Sequence, residues 1–421
     1  MASQLSREKV ISHAFRLAGR EGLQAVSLTR IANDLGVTQP ALYRHVGGVD
    51  DLRRALTLRA RELMASDLNK ATTGLSGKEA IRALAHAWRR GGSSHRALLL
   101  LPGEVAIKGD EALEGSVERI ISVISGTLEE LDLAAEERVH AARSLRSALH
   151  GFSAIESCSG QRPEVFDEAF EQLITLIWIG LQASRDQSRN DPWTARLEDH
   201  ESDLPFASDE GRQGTERLTP DYVVDAAAKL AEKHGLDSVS LTRVAKILGV
   251  QQPALYRHVE GIEALWRALA MRVQQSLHAL TVQAAIGRSR DEAICAVAAA
   301  WRRYVASNPG IYSSTTRVVV AEDKDLQRST DETVRLLALA LRGYALTKET
   351  SPLVAECIRS ALHGFCLLEK DDAHPGPHDV DETFGRLVNL LIAGIKGMVA
   401  AESVASDLSK RRNVAKKVRG A

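Results

Sequence analysis

Apolar residues recur along the chain at the three- and four-residue spacing that places them on one face of a helix. The spacing is clear in residues 10–18, 52–63 and 173–181. Aromatic residues make up only 4% of the sequence, and no Asn-Gly turn joins two alternating segments. The pattern therefore predicts an all-α protein.

A segment of nineteen residues occurs twice in the chain. Leu28–Val46 and Leu241–Val259 are offset by 213 residues and differ at four positions. Arg146–Phe152 recurs at the same offset, and residues 167–170 recur at an offset of 214. A period this long is not that of a solenoid repeat. We therefore predict two complete modules fused in tandem.

The repeated segment carries the signals of two short helices joined by a tight turn. Ser27 is a suitable N-cap for a helix over Leu28–Leu35, and Gly36 allows the positive φ that ends it. Gln39 and Pro40 begin a second helix with Pro in its first turn. Behind a longer first helix, such a pair forms a helix-turn-helix. The alternative is an ordinary corner between two helices with polar surface residues.

The second helix of each copy presents the same five residue types outward. They are Gln39, Ala41, Tyr43, Arg44 and His45, and then Gln252, Ala254, Tyr256, Arg257 and His258. Gln can pair with a base edge, Ala can contact a thymine methyl group, and Tyr, Arg and His can reach phosphates. The second copy favours DNA binding over a plain corner, although recent duplication would also explain the identity.

These residues resemble the TetR family of one-component transcription regulators. The similarity rests on the motif from Leu28 to Val46 and on the helix that begins near Leu52, and it occurs in both copies. Trp88 and Leu149–Phe152 are similar to a subgroup with a Trp and a His-Gly signature. The resemblance implies modules with an N-terminal three-helix DNA-binding domain and a larger helical domain for ligand binding and dimerisation.

The resemblance also implies which residues contact DNA. In the first copy they are Thr29, Arg30, Thr38, Gln39, Pro40, Ala41, Tyr43, Arg44 and His45, and in the second Thr242, Arg243, Gln251, Gln252, Pro253, Ala254, Tyr256, Arg257 and His258. The first Thr and Arg are expected at the DNA backbone, Gln-Pro-Ala at base edges, and Tyr and His at phosphates. Thr38 and Gln251 begin the recognition helices and are the expected source of any difference between half-sites.

The start of the fourth helix departs from the family pattern. The family usually has a Lys there, set against a phosphate, whereas this chain has Asp50, Asp51 and, in the second copy, Glu263. Acidic side chains would repel phosphate, so we expect backbone N–H contacts there instead and a lower affinity per head.

Changes in composition mark the borders of the modules. Residues 186–216 carry three basic and nine acidic residues, which is typical of a polar linker, and residues 410–421 carry six basic residues and no acidic one. We expect the end of the chain to be disordered. The predicted segments are a first head, 1–50; a first regulatory domain, 51–185; an acidic linker, 186–216; a second head, 217–262; a second regulatory domain, 263–402; and a basic tail, 403–421.

Family members dimerise through the last two helices of each subunit, which form a four-helix bundle. The candidate helices here are about 134–158 with 163–183 and 351–369 with 380–398. Because the linker keeps the two halves close together, we predict that one chain makes the bundle alone, as a monomer with an internal pseudo-two-fold axis. A homodimer of fused chains is the alternative.

A small apolar effector is expected in one or both regulatory domains. The candidate pocket residues are Trp88, Phe152, Trp301, Tyr304, Tyr312 and Phe365. The alternative is that all of them belong to the hydrophobic core.

The rest of the sequence favours neither catalysis nor a metal. It has no Gly-rich phosphate loop and no Gly-x-Ser-x-Gly motif. His150-Gly151 and His363-Gly364 are interpreted as packing positions where Gly lets another helix approach. The loop from His374 to His378 has no Cys or carboxylate at ligand spacing on either side. We predict no enzyme activity, no cofactor and no metal.

Charge and cysteine usage indicate a cytoplasmic protein. The formal net charge is −1, and the four cysteines show no CxxC spacing, which favours buried, reduced thiols. No apolar run approaches the ~18 residues of a membrane span. We therefore expect a nucleoid-associated regulator that binds a near-palindromic double-stranded DNA operator and represses transcription until it binds its effector. The rival is an effector-binding module whose heads no longer bind DNA.

Overall fold

The computed structural model describes residues 5–22, 25–94, 109–186, 218–320 and 323–419, and all regular structure within them is helical. The predicted all-α fold is confirmed. The helices of the first half are α1 Arg7–Glu21, α2 Leu28–Leu35, α3 Gln39–Leu42, α4 Val49–Thr72, α5 Gly77–Ser94, α6 Glu111–Gly126, α7 Ala135–Ser159 and α8 Asp167–Asp186.

The second half repeats this order with one additional short helix. Its helices are α9 Pro220–His234, α10 Leu241–Ile247, α11 Gln252–Leu255, α12 Ile262–Ala285, α13 Arg290–Ser307, α14 Pro309–Tyr312, α15 Lys324–Ala340, α16 Thr350–Lys370 and α17 Val380–Arg419. Residues 96–99, which correspond to α14 in the first half, lie outside the described residues.

Local capping explains where the short helices begin and end. The Ser27 side chain accepts a hydrogen bond from the Arg30 backbone N–H at the start of α2, and Gly36 ends the helix with φ of 65°. Ser240 caps α10 in the same way. Because these caps are sequence-local, α2 has the predicted bounds.

The two halves pack against each other through α7, α8, α16 and α17. Gly151 of α7 meets Gly364 of α16 at the centre of this bundle. A Cβ atom built on Gly151 would lie 2.7 Å from the Cα of Gly364, and one built on Gly364 would lie 2.7 Å from the Cα of Gly151. Glycine therefore permits the close helix approach that the His-Gly pairs predicted.

A second reciprocal contact joins α8 and α17. A Cβ on Gly180 would overlap the carbonyl group of Leu390, and a Cβ on Gly394 would overlap that of Leu176. Gly394 and Leu390 of the second half correspond to Gly180 and Leu176 of the first, so the same contact occurs twice with the halves exchanged. An isologous interface between identical subunits has this reciprocity. The contacts between the two halves are thus reciprocal about Gly151 and Gly364.

Buried apolar side chains form two separate clusters among the described residues. One runs from Val10 to Ala60 and belongs to the first head alone. The other contains buried residues of both regulatory domains and of the second head, where its first member is Val223. The second head is therefore continuous with the regulatory core, whereas the first head has a core of its own.

The C-terminal segment differs from expectation in two ways. Helix α17 continues to Arg419, although we expected disorder from about residue 403; residues 404–419 contain no Gly or Pro and many good helix formers. The segment Val380–Ser403 is also long and apolar enough to pass for a membrane span, contrary to the estimate from apolar runs, but 56% of its most apolar window is buried in the protein. It is a core helix of the bundle. The predicted linker, from residue 187 onward, lies outside the described residues.

Candidate functional site

The two helix-turn-helix segments, from α2 to the turn after α3 and from α10 to the turn after α11, expose most of the predicted DNA-contacting side chains. Tyr43 and Tyr256 are 54% and 53% exposed, so both phenol groups are free of the hydrophobic core. The other exposed positions are Thr29, Arg30, Thr38, Gln39, Pro40 and Arg44 in the first head and Thr242, Arg243, Gln251, Pro253 and Arg257 in the second. Ala41, His45, Gln252, Ala254 and His258 are half-buried.

A Thr–Gln hydrogen bond links the two helices of each helix-turn-helix. The Thr242 hydroxyl donates to Oε1 of Gln252 at 2.8 Å, and the corresponding distance from Thr29 to Gln39 is 3.5 Å. Nε2 of Gln252 also donates to the Tyr256 hydroxyl at 3.3 Å. The glutamine is thus held more tightly in the second head than in the first.

The acidic first turn of α4 has an internal role that the sequence did not reveal. The Asp51 carboxylate accepts two hydrogen bonds from Arg7, at 2.7 and 2.8 Å, and one from the Gly47 backbone N–H at 2.8 Å. The hydrogen bonds from Arg7, opposed by partial burial, lower the pKa of Asp51 to about 2. Asp51 therefore connects the start of α4 to α1 and to the turn at Gly47. Asp50 remains the acidic side chain that we expect to repel phosphate.

The second head lacks this fastening, because Pro220 and Ala264 occupy the positions equivalent to Arg7 and Asp51. Its α9 is instead held by the regulatory domain. The Glu232 carboxylate accepts hydrogen bonds from the backbone N–H groups of Gly310 and Ile311, both at 2.9 Å, at the start of α14.

The first-turn arginines also differ between heads. Arg30 donates to Asp34 at 3.0 Å and to Glu21 at 3.3 Å, whereas Arg243 donates to the Ser238 carbonyl oxygen at 3.1 Å. Ile247 replaces Asp34 in the second head. The positive charge at this point of the surface is therefore partly neutralised in the first head only.

Both heads have the architecture of a known family. A sequence profile described as "Bacterial regulatory proteins, tetR family" matches residues 10–56 and 223–269, and a profile described as "Tetracyclin repressor-like, C-terminal domain" matches residues 81–177 and 294–391. The chain belongs to the TetR family. It is a DNA-binding transcription regulator with the family's domains in duplicate, and not an enzyme.

Relatives of this TetR-family protein align with about half of it. The HTH-type transcriptional regulator Rv0681 of Mycobacterium tuberculosis is 32% identical over 185 residues, which are 43% of this chain and 83% of the relative. YobS of Bacillus subtilis is 30% identical over 180 residues, 42% of this chain and 93% of the relative. Nearly a whole regulator thus fits in less than half of this chain.

Tetracycline repressor protein class D of Escherichia coli is similar over a shorter region. It is 30% identical over 92 residues, which are 22% of this chain and 37% of that repressor. The crystal structure of apo ActR from Streptomyces coelicolor is 18% identical, with a TM-score of 0.32, over 44% of this chain and 100% of ActR. Bacterial regulators of the TetR family are generally soluble and cytoplasmic.

In both TetR-like modules the fourth helix is tied to the regulatory domain by the same ion pair. Arg54 of α4 contacts Asp110, and Arg267 of α12 contacts Asp323. Each Asp also caps the following helix by accepting two backbone N–H groups. A shift of this capped helix would move the fourth helix and its head.

A cavity of about 200 Å³ lies between the two halves of the TetR-family chain. Its walls come from the end of α7 and the turn after it, and from α12, α13, α15 and α16. The lining residues include Ile155, Cys158, Phe166, Leu277, Trp301, Tyr312, Asp331, Glu356, Arg359 and His363.

Hydrogen bonds fix the aromatic wall of this cavity. Nε1 of Trp301 donates to the Tyr312 hydroxyl at 3.1 Å, and that hydroxyl lies 2.6 Å from Nδ1 of His363. Burial, together with nearby Arg359, lowers the pKa of His363 to about 3, so its ring is neutral near pH 7. The Tyr312 hydroxyl and Nδ1 of His363 therefore share a hydrogen bond between two neutral groups, and its direction follows the tautomer of His363.

The structure brings two of the six predicted pocket residues, Trp301 and Tyr312, to this cavity. Phe152 and Phe365 do not line it: their rings pack in the core on Phe170 and Phe384, with centroids 4.9 Å apart in each pair. Trp88 and Tyr304 are also buried away from it. These four residues are buried in the hydrophobic core, as in the alternative interpretation of the sequence. Large residues on an inward helix face give the same sequence signal whether they line a cavity or fill a core.

Proposed function

We propose that the chain is a ligand-responsive repressor that carries both operator-reading heads on one polypeptide and acts at the nucleoid. The observation that carries this proposal is the reciprocal contact of the two halves at Gly151 and Gly364. In a homodimeric regulator, two copies of one surface make such an interface. Here one chain supplies both surfaces, so the bundle needs no second chain.

The covalent connection favours closure within the chain. Two halves joined in one chain meet at an effective concentration of about millimolar, far above that of another chain in dilute solution. A homodimer of fused chains is the alternative, and it requires the same bundle surfaces to be exchanged between chains.

The two heads are proposed to enter successive major grooves about 34–36 Å apart, as in other helix-turn-helix dimers. We assign Gln39 and Gln252 to base edges because each lies in the first turn of a recognition helix. We assign Tyr43 and Tyr256 to phosphates because each directly follows a recognition helix and is more than half exposed.

We propose that the effector binds in the cavity between the halves. The cavity is smaller than the roughly 300–1,000 Å³ of sites for drug-sized ligands, which favours a small molecule. About half of the lining residues are polar or charged, among them Asp331, His363 and the paired Glu356 and Arg359. We therefore expect an apolar body with at least one polar group, rather than a purely apolar effector.

The route from cavity to head begins at Tyr312. This residue lines the cavity and ends α14, whose first N–H groups bind Glu232 of the second head. A ligand that displaces Tyr312 would move α14 and the end of α9. It lowers DNA affinity only to the extent that it prefers the state with displaced heads.

The decisive experiment combines sedimentation with selection of bound DNA from a random pool. We expect a species with the mass of one chain, free and bound to one operator, and a selected site that is close to an inverted repeat. A species of two chains at nanomolar concentration would contradict the pseudo-dimer. Selection of unrelated half-sites would contradict the assignment of the recognition helices.

One observation favours the rival function, an effector-binding module with weakened heads. Arg30 is held by Asp34 and Glu21, which leaves less positive charge for a phosphate. If Tyr43→Ala and Tyr256→Ala leave binding to promoter DNA unchanged, the rival is favoured. A large loss of affinity from either substitution supports the repressor.

A further inference from the structure

The first and second halves together form a cluster of metal-ligand groups at one end of the bundle. Glu136 and His140 lie one turn apart on α7 of the first half, and His378 lies in the loop before α17 of the second half. One ligand atom from each residue lies within 4.8 Å of the others. The sequence predicted no metal here because the partners of His378 come from more than 200 residues away.

His140 is the buried member of this cluster, with a fully buried side chain. Its Nδ1 atom lies 2.8 Å from the Thr383 hydroxyl oxygen. That hydroxyl donates its single proton to the Asp379 carbonyl oxygen at 2.8 Å. Thr383 can therefore only accept from His140, so Nδ1 of His140 carries the proton.

This tautomer leaves a lone pair on Nε2 of His140. Nε2 has no hydrogen-bond partner among the residues that the structure describes. Oε2 of Glu382 lies 3.5 Å away, at the limit of a hydrogen bond. A cation bound between or beside this lone pair and the carboxylate of Glu382 would stabilise both.

The surroundings match those of a metal-binding histidine. Such residues usually donate their other ring N–H to a fixed acceptor, as His140 does to Thr383. Arg386 adds positive charge nearby, but it is paired with Glu382 at 2.7 Å. Arg143 is close as well, and it donates to the Pro375 carbonyl oxygen, which holds the loop that carries His378.

We propose that Glu136, His140 and His378 bind one Zn²⁺ ion, or a similar divalent first-row metal, that links the two halves of the chain. Two imidazole nitrogens and one carboxylate oxygen form a ligand set that Zn²⁺ accepts, with a further position for water or Glu382. The bound ion ties the start of α7 to the loop before α17.

The opposite end of the pseudo-symmetric bundle provides matched controls. Leu353 occupies the position equivalent to His140, Glu349 occupies that of Glu136, and residues 160–166, in the loop equivalent to that of His378, contain no His. The proposed site therefore exists once per chain.

The test is a Zn²⁺ titration of the untagged, full-length, metal-stripped protein against a chromophoric chelator. We expect wild type to bind one Zn²⁺ per chain. The Zn²⁺ affinity should be at least tenfold lower in His378→Ala, His140→Leu and Glu136→Gln. The control Glu349→Gln should bind Zn²⁺ as wild type does. Co²⁺ should give the visible absorption of a four-coordinate site in wild type and in Glu349→Gln, and should not in the three ligand variants. His378 is only half-buried, so His378→Ala carries the test if His140→Leu fails to fold. Absence of saturable 1:1 binding at micromolar Zn²⁺, or wild-type affinity in His378→Ala, would overturn the proposal.

Discussion

Gly151 and Gly364 touch backbone to backbone at the centre of the bundle, and a methyl group on either residue would lie 2.7 Å from the Cα of the other. Gly151→Ala should therefore force α7 and α16 apart. We expect a loss of about 1–3 kcal/mol in the free energy of unfolding, as for other overpacked cores, measured by urea denaturation.

A matched control is Gly115→Ala in α6, where the new Cβ would meet only the end of the Arg119 side chain, at 3.9 Å. That change should stabilise the protein by about 0.5–1 kcal/mol, because Ala is the better helix former. Equal effects of the two substitutions would mean that the bundle contact is not formed in solution.

The first head should lose stability in acid more readily than the second. The pKa of Asp51 is lowered to about 2, so its contribution is fully present above the ordinary Asp pKa of about 4 and is lost as pH falls through about 2. Because Arg7 is partly exposed, we expect about 1 kcal/mol after screening by solvent. Hydrogen exchange of α1 between pH 5 and pH 2 measures the effect.

Asp51→Asn supplies the comparison, since it removes the charge but keeps a hydrogen-bonding side chain. In this variant the exchange of α1 should be faster at pH 5 and should change less as the pH falls. Exchange of α9 should be alike in both proteins, and a pH response of α9 as large as that of α1 would argue against this role of Asp51.

Asp34→Ile should strengthen DNA binding, because it removes one of the two carboxylates that neutralise Arg30 and installs the residue that the second head has there. One additional phosphate contact would steepen the dependence of log K on log salt concentration by up to about 0.9. Fluorescence anisotropy with operator DNA at several salt concentrations measures this slope.

The reciprocal change, Ile247→Asp, should weaken binding and flatten the slope. Ile247 is 54% exposed, so the new carboxylate can be accommodated without disturbing the core. If both substitutions shift the slope in the same direction, the neutralisation of Arg30 is not the cause.

Thr38→Gln should make the selected operator more symmetric. Thr38 and Gln251 are both exposed and precede their recognition helices, and the outward residues that follow are identical in the two heads. Selection of DNA with wild type and variant should differ only at the base pairs next to this position in one half-site. Unchanged asymmetry would place the discrimination elsewhere.

Glu232→Ala should loosen the contact between the second head and the cavity. It removes the acceptor for the N–H groups of Gly310 and Ile311, so we expect their hydrogen exchange to become about 5- to 10-fold faster. Glu232→Gln keeps one acceptor and should have a smaller effect. Unaltered exchange at these two amides in Glu232→Ala would exclude this route of coupling.

Local sequence signals predicted the heads well. The caps at Ser27 and Ser240, the turn at Gly36 and the offset of the repeat each depend on neighbouring residues, and the structure follows them. The His-Gly pairs were also interpreted correctly, because a Gly within an apolar helix face is typical of close packing.

Contacts between distant segments were not predictable in the same way. Examples are the contacts of Arg7 with Asp51, of Glu232 with the backbone N–H of Gly310, and of His140 with His378. The spacing of these residues along the chain follows no helical or strand period. Phe152 and Phe365 pack in the core and do not line the cavity, a difference that hydrophobicity alone does not show. Only the packing of the helices separates these cases.

The joining of two non-identical heads in one chain has a genetic consequence. In a homodimeric regulator, a single substitution alters both half-site contacts at once, and mixed dimers form when two alleles are present. Here a substitution at Thr38 leaves Gln251 untouched, so an operator can change one arm at a time while the other arm is still recognised. If each chain closes on itself, as proposed, the product of a defective allele cannot inactivate the product of an intact allele by forming mixed dimers with it.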